Sequence, residues 1–284
     1  MALDQLSQIN RMARLVEENW AAAWASLAAA RATPPTIADA TADCLRVYTP
    51  GVPESLLNMV IGYHATPGPR GVSRTDIERV IAPYRQWRLP FQWWMTRGSE
   101  PNGLRQRLSE LGMESWGGAT MMFFTLDQLE RGAARLPHPP TSATFDRILI
   151  ADDGEAALNI ICDVFMIPLE PMRRWTTLNP AFDLWIARLG AQPVAALATL
   201  RQGPTVGVYH VATLPGARRR GLAGALLVAA LREAQALGAR QATLTATPEA
   251  RPLYERLGFR VCGVIEQWMP SYGLARQLTG ASAW

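Results

Sequence analysis

The chain has 284 residues, 49% hydrophobic and 18% charged, which supplies apolar material for two packed cores and excludes a disordered chain. Its net charge is +4, all 28 basic residues are arginine, and only Arg218, Arg219 and Arg220 form a run, so there is no basic stripe for a nucleic-acid partner. Three cysteines (Cys44, Cys162, Cys262) and three histidines (His64, His138, His210) are too dispersed for a disulfide framework or a metal site.

The N-terminus carries Asp4, Glu17 and Glu18 and lacks a basic region followed by an apolar stretch, so it does not read as a secretory signal. No apolar run reaches the roughly 18 residues a membrane span needs, and a cytoplasmic protein without a membrane partner is expected.

Residues 3–31 place Leu6, Ile9, Met12, Val16, Trp20, Trp24 and Leu27 at intervals of three and four, predicting an amphipathic helix that ends before Pro34-Pro35. Apolar runs follow at 44–48 and 56–63, then a Pro/Gly loop over 66–71. A helix opens at Ser73, with Ser73 and Asp76 as capping residues. A strand over 91–95, a helix over 102–110 ending at Gly112 and a strand over 120–124 complete this half. Residues 127–143, with Gly132 and Pro137-His138-Pro139-Pro140, have linker composition. They place a domain boundary near 140, giving domains 1–140 and 141–284.

The second half reads as a strand (146–150), two helices (154–165, 171–175) and three strands (182–188, 194–201, 205–213) with Gly190 and Gly203 at hairpin turns. A long helix over 220–237 stops at Gly238. A strand (241–246), a short helix (249–257, closed by Gly258) and two strands (259–261, 264–269) follow.

The chemistry concentrates where the strand ending Val211-Ala212-Thr213 runs through Leu214-Pro215-Gly216-Ala217 into Arg218-Arg219-Arg220-Gly221-Leu222-Ala223-Gly224. A helix that begins there leaves its first amides unpaired, and together with the positive end of its dipole they form an anion site. Solvated arginines ahead of a tightly packed helix are the plain alternative.

This segment resembles the acetyl-CoA-binding motif of the GNAT superfamily of N-acetyltransferases, Arg/Gln-x-x-Gly-x-Gly/Ala, matched by Arg218, Gly221 and Ala223. Leu253-Tyr254-Glu255-Arg256-Leu257-Gly258-Phe259 is similar to that family's Leu-Tyr-x-x-x-Gly-Phe pattern, and the resemblance spans roughly 144–270. It implies acetyl-CoA as co-substrate. Backbone groups of Val211, Ala212 and Thr213 would pair with the pantetheine arm. The amides of Arg219, Arg220, Gly221, Leu222, Ala223, Gly224 and Ala225 would hold the pyrophosphate, with the Arg218 and Arg220 side chains available to it. Tyr254 would act as general acid on the CoA thiolate. The acceptor would be a primary amine on a small molecule or peptide. A base must take the amine proton. His210 is the first candidate, Glu170, Asp183 and Glu266 are others, and a water relay is the alternative. Thr247 stands where many members have asparagine, which leaves the cofactor contact there open.

Trp93-Trp94-Met95-Thr96 through Leu111-Gly112-Met113 overlays Thr243-Leu244-Thr245-Ala246 through Leu257-Gly258-Phe259. The resemblance therefore extends to a tandem arrangement: an α/β (mixed α+β) protein of two GNAT-like domains, each a mixed, mostly antiparallel sheet flanked by helices. The N-terminal copy has Leu108 in the place of Tyr254, and its 66–73 loop has two prolines where an anion needs amides. It reads as a structural half that shapes the acceptor cleft. The dense tryptophans, Trp87, Trp93, Trp94, Trp175 and Trp185 among them, read as core, with an aromatic acceptor pocket as the alternative. A non-catalytic acyl-CoA-binding or regulatory protein is the competing function, and both a monomer and a homodimer fit.

Overall fold

The structure is a computed structural model that describes residues 2–30, 32–64, 71–96, 101–148 and 151–279. In chain order the elements are α1 (Ala2–Ala29), β1 (Ile37–Ala40), β2 (Leu45–Tyr48), β3 (Met59–Ile61), α2 (Arg74–Gln86), β4 (Gln92–Thr96), α3 (Leu104–Glu110), β5 (Met113–Thr125) and α4 (Leu129–Ala133). Then come β6 (Ala143–Arg147), α5 (Ala151–Phe165), α6 (Leu169–Thr176), β7 (Phe182–Leu189), β8 (Gln192–Gln202), β9 (Thr205–Thr213), α7 (Leu222–Ala236), β10 (Gln241–Ala246), α8 (Arg251–Leu257), β11 (Arg260–Pro270) and α9 (Tyr272–Thr279).

Two compact units form: Met1–Ser26 with Thr120–Gly263, and Leu27–Ala119 with Val264–Trp284. Set against a division at residue 140, three stretches lie with the other unit: most of α1, residues 120–140, and everything after Gly263. The first follows from side chains on α1, described below. The second follows from α4, since 127–143 is not a bare linker. Leu126, Leu129 and Leu136 are buried in the same cluster as Leu226 and Leu257. A Cβ on Gly132 would lie 1.9 Å from the Leu257 carbonyl oxygen, so the α4 backbone packs directly on the end of α8. Arg131 and the prolines conceal this apolar spacing in the sequence.

In the first unit the strand order is β5-β10-β9-β8-β7-β6, antiparallel except for the β9/β10 pair. Side chains alternate across the sheet. Val208, Leu197, Trp185 and Leu244 therefore join Leu226, Leu227 and Leu231 of α7 in one core. Tyr209 faces the other way and packs on Trp20, Trp175 and Phe182. Of the tryptophans read as core, Trp93, Trp94, Trp175 and Trp185 are buried, whereas Trp87, at the end of α2, is 47% exposed.

The second unit repeats the plan. Its order is β1-β2-β3-β4-β11, antiparallel except for β3/β4. Its α2 opens with a capping box in which Ser73 and Asp76 exchange side-chain-to-backbone bonds. The correspondence read from sequence holds at backbone level. β4, α3 and β5 follow one another as β10, α8 and β11 do, and Gly112 (φ 83) and Gly258 (φ 118) both adopt the left-handed conformation after the short helix. The last strand of each copy is exchanged: β5 pairs with β10, and β11 pairs with β4. That exchange is why the segment after Gly263 leaves the first unit. Two strands expected at 259–261 and 264–269 are one strand, because Gly263 keeps extended geometry with the Met121 sulfur 3.3 Å from the site of its missing Cβ. The loop expected at 66–71 lies almost wholly outside the described residues.

Candidate active site

All the elements of the site belong to the first unit. β9 and β10 pair in parallel from Thr205/Gln241 to Val208/Leu244 and then separate, although β9 continues to Thr213 and β10 to Ala246. On its other edge β9 keeps to β8 through a bulge: Ala198 stands opposite Tyr209 and Ala196 opposite Ala212, so His210 and Val211 share one partner position. His210 is held there at φ 52. The separation frees one edge of Val211, Ala212 and Thr213 for an extended ligand, the geometry of strand addition. Thr213 Oγ1 is buried without a hydrogen-bond partner.

Past the strand, a 3-10 turn at Pro215–Ala217 leads into Arg218, whose Nε donates to the Thr213 carbonyl at 3.0 Å and folds the side chain over the strand end. Arg219 (φ 60) and Gly221 (φ 74) both adopt the left-handed conformation, a backbone arrangement that gathers amides on one side. Gly221 caps α7 with no side chain to answer the first-turn amides, so those of Leu222, Ala223 and Gly224 are open to an anion. The Ala225 amide is not: it donates to the Gly221 carbonyl at 3.0 Å, which ends the anion-facing set at Gly224. The side chains of Arg218, Arg219 and Arg220 are exposed, Leu222 is buried, and Gly224 packs against Leu136 and Leu253. The reason for a glycine at 221 is also broader than ligand approach. A Cβ there would lie 2.6 Å from the Pro137 carbonyl oxygen, so the 137–138 backbone already occupies that side.

Tyr254 is placed by how α8 ends. Gly258 donates to the Glu255 carbonyl at 3.1 Å and Phe259 to the Tyr254 carbonyl at 2.9 Å, the paired bonds of a Schellman motif. The ring of Phe259 then meets that of Tyr254 edge-on at 5.9 Å. The Leu-Tyr-x-x-x-Gly-Phe spacing is thus the spacing of this cap: Tyr in the last turn, Gly in the left-handed turn, Phe folding back. Tyr254 is 4% exposed, in one cluster with Val208, Leu244 and Ala246 at the mouth of the strand separation. Burial raises its hydroxyl pKa well above the usual value, so the oxygen keeps its proton. Among the described residues no group is hydrogen bonded to it. Thr247 caps the turn before α8, accepting weakly from the Ala250 amide at 3.4 Å.

The base candidates fare differently. Trp175 Nε1 donates to His210 Nε2 at 2.9 Å, and burial pushes the imidazole down to about 4. Glu170 is exposed and paired with Arg173 at 3.0 Å, and Asp183 with Arg147 at 3.3 Å. Glu266 belongs to the second unit, where it pairs with Arg105 and accepts from Ser115 Oγ at 2.9 Å. Among the described residues no cluster of His, Cys, Asp and Glu could hold a metal, and no helix is long and apolar enough to cross a membrane.

The partners of α1 lie far from it in sequence. Asn19 is 1% exposed; its Oδ1 accepts the Tyr209 hydroxyl and its Nδ2 donates to the Leu200 carbonyl at 3.4 Å. Trp20 stacks on Trp175 at 5.8 Å, Trp24 lies tilted against it at 3.9 Å, and Asn179 Nδ2 donates to the Ala23 carbonyl at 2.8 Å. The regular apolar face over 13–27 signalled burial without saying against what.

Residues 156–267 match the family model of the acetyltransferase (GNAT) domain. No protein of curated function matches the chain in sequence. Among solved structures, a GCN5-related N-acetyltransferase from Kribbella flavida is similar over 87% of this chain and 95% of its own, with a TM-score of 0.62 and 20% identity. One from Sphaerobacter thermophilus covers 82% and 83% at a TM-score of 0.55 and 16% identity. A tandem GNAT protein from the clavulanic acid biosynthesis pathway covers 90% and 94% at 0.55 and 14%. At these identities the likeness is one of fold, and the fold is that of tandem GNAT proteins.

Proposed function

We propose, from a chain whose residues 156–267 carry a GNAT acetyltransferase domain, that the first unit moves an acetyl group from acetyl-CoA to a primary amine of a small molecule or peptide. The observation that carries this reading is the continuous path from the β9/β10 separation at Val208/Leu244 to the uncapped amides after Gly221. An extended pantetheine arm suits the first, and a pyrophosphate suits the second. Bound there, acetyl-CoA would supply an activated acyl group as its thioester.

The residues of this chain would act as follows. Val211, Ala212 and Thr213 align the ligand along the free strand edge, and the amides up to Gly224 anchor its anionic end with Arg218 and Arg220 beside them. Tyr254 Oη, which burial keeps protonated, gives its proton to the departing thiolate as the amine attacks directly. With the candidate carboxylates in ion pairs and His210 Nε2 engaged, the amine proton leaves through water. The second unit, with the fully buried Leu108 in the place of Tyr254, serves as a structural half.

A second reading, a non-catalytic acyl-CoA-binding protein, draws on the engagement of those same four candidates. Calorimetric titration of acetyl-CoA and desulfo-CoA into the wild type and an Ala223→Glu variant tests the site, followed by a screen of amines for turnover. Binding that the variant loses, with turnover on an amine, supports the transferase. Binding without turnover favours the second reading, and no binding to the wild type removes both.

A further inference from the structure

Trp175 is fixed on every side: it is 1% exposed, tilted over Trp24 at 3.9 Å, stacked on Trp20 at 5.8 Å, and met edge-on by Phe182 at 5.2 Å. Its one polar atom, the indole N–H, points at His210 Nε2 from 2.9 Å. An indole nitrogen donates and never accepts, so the imidazole nitrogen it meets must carry a lone pair. In a neutral ring the proton then sits on Nδ1. His210 itself has little freedom to turn away, since the β9 bulge holds its backbone at φ 52.

We propose that Trp175 is a positioning residue that holds His210 as the neutral Nδ1–H tautomer, so that the imidazole meets substrate at the separated end of β9 as a hydrogen-bond donor to an oxygen atom and not as a base. The proposal rests on reading that end of β9 as the acyl-transfer cleft. Taking a proton at Nδ1 would require the other tautomer, with an Nε2 proton pressed against the indole proton. Taking one at Nε2 would require breaking the indole bond. Neither is open while α1 and α6 keep Trp175 in place. The surroundings do not favour a cation either. Phe165 meets the imidazole edge-on at 6.1 Å, and the neighbouring Tyr209 spends its hydroxyl on Asn19. Burial lowers the His210 pKa with no charged side chain contributing, and the indole bond to the Nε2 lone pair favours the neutral ring as well. Among the described residues nothing is hydrogen bonded to Nδ1, which leaves that N–H for a ligand. A donor of fixed direction is what an acyl carbonyl or an acceptor's oxygen can use as negative charge develops on it.

The test is two-bond 1H–15N spectroscopy of the full chain carrying labelled histidine, without added ligand, from pH 5 to 8. A His210→Asn variant identifies the signal among the three histidines. The wild type should show a protonated Nδ1 and an unprotonated Nε2 across the whole range. Trp175→Phe keeps the ring and removes the donor. It should release His210 into the usual tautomer mixture and raise its proton affinity at least tenfold, with an acid limb appearing in kcat/KM while KM for acetyl-CoA is unchanged. An Nε2–H signal in the wild type overturns the proposal, as does a folded Trp175→Phe protein with the wild-type tautomer and titration. If Trp175→Phe fails to fold by circular dichroism, the wild-type tautomer alone decides. Because the spectra need no acetyl-CoA, they stand or fall separately from the acetyl-transfer reading.

Discussion

The Asn19 side chain of α1 fills the space over Gly207 of β9: a Cβ built on Gly207 would lie 1.8 Å from Asn19 Oδ1. The contact joins residues far apart in sequence and draws α1 onto the sheet beside Tyr209. Gly207→Ala must therefore displace Asn19, which also holds the Tyr209 hydroxyl, or the helix, and must also move the Tyr209 ring, 2.7 Å from the added carbon. Overpacking of this kind costs about 1–3 kcal/mol. In urea unfolding, Gly207→Ala should lower stability by that amount, and the double variant with Asn19→Ala should recover part of the loss. Purely additive effects would mean that the two residues do not meet.

Gly221 and Ala223 sit two residues apart in the same loop and should respond in opposite ways. Gly221→Ala meets a left-handed φ of 74 and the Pro137 carbonyl at 2.6 Å, so it should cost roughly 1–3 kcal/mol of stability whether or not ligand binds. Ala223→Glu puts a carboxylate in the first turn of α7, where the helix dipole favours it by about 0.3–1 kcal/mol. The same charge opposes a pyrophosphate. Thermal unfolding should place the glutamate variant at or above the wild type while calorimetry shows its acetyl-CoA affinity lost. A glutamate variant that still binds as tightly as the wild type would place the anion elsewhere.

How far the sequence reveals this site depends on how local each constraint is. The bounds of β9 and β10 and the loop at Gly221 are legible because strand alternation, a glycine and a helix start are encoded within a few residues. Tyr254 is legible for the same reason: its position is fixed by the cap that Gly258 and Phe259 close. The place of α1 is not, because periodicity marks Val16, Trp20 and Trp24 as buried without naming Tyr209 or Trp175 as their partners. The state of His210 is hidden too, since it depends on one indole N–H from α6. Strand exchange is a further blind spot: the apolar run of Thr120–Phe124 marks a strand, but only pairing shows it beside β10.

Removing the Tyr254 hydroxyl separates chemistry from packing. The ring packs on Phe259 and the oxygen has no protein partner among the described residues, so Tyr254→Phe should leave the unfolding midpoint within a fraction of a kcal/mol. If the hydroxyl supplies the leaving-group proton, kcat should fall by about 10²–10⁴ with KM for acetyl-CoA little changed. Steady-state kinetics on any amine that turns over decides it. A variant retaining more than half the wild-type kcat would remove Tyr254 from the chemistry.

His210 also makes stability depend on pH. Burial holds its imidazole at about 4 in the folded protein, against about 6.5 in an unfolded chain. Between those values the unfolded state binds the proton and the native state does not, so stability rises with pH across this window. The contribution is complete above the unfolded value and falls away as pH drops towards 4, by roughly 2–4 kcal/mol. Protonation at Nε2 would also break the bond from Trp175. His210→Asn removes the titrating ring with a residue that tolerates the left-handed backbone. Urea midpoints at pH 7 and pH 4.5 should therefore separate far more in the wild type than in the variant. Equal losses in the two proteins would show that the imidazole carries its proton in the folded state, and the indole would then have no lone pair to meet.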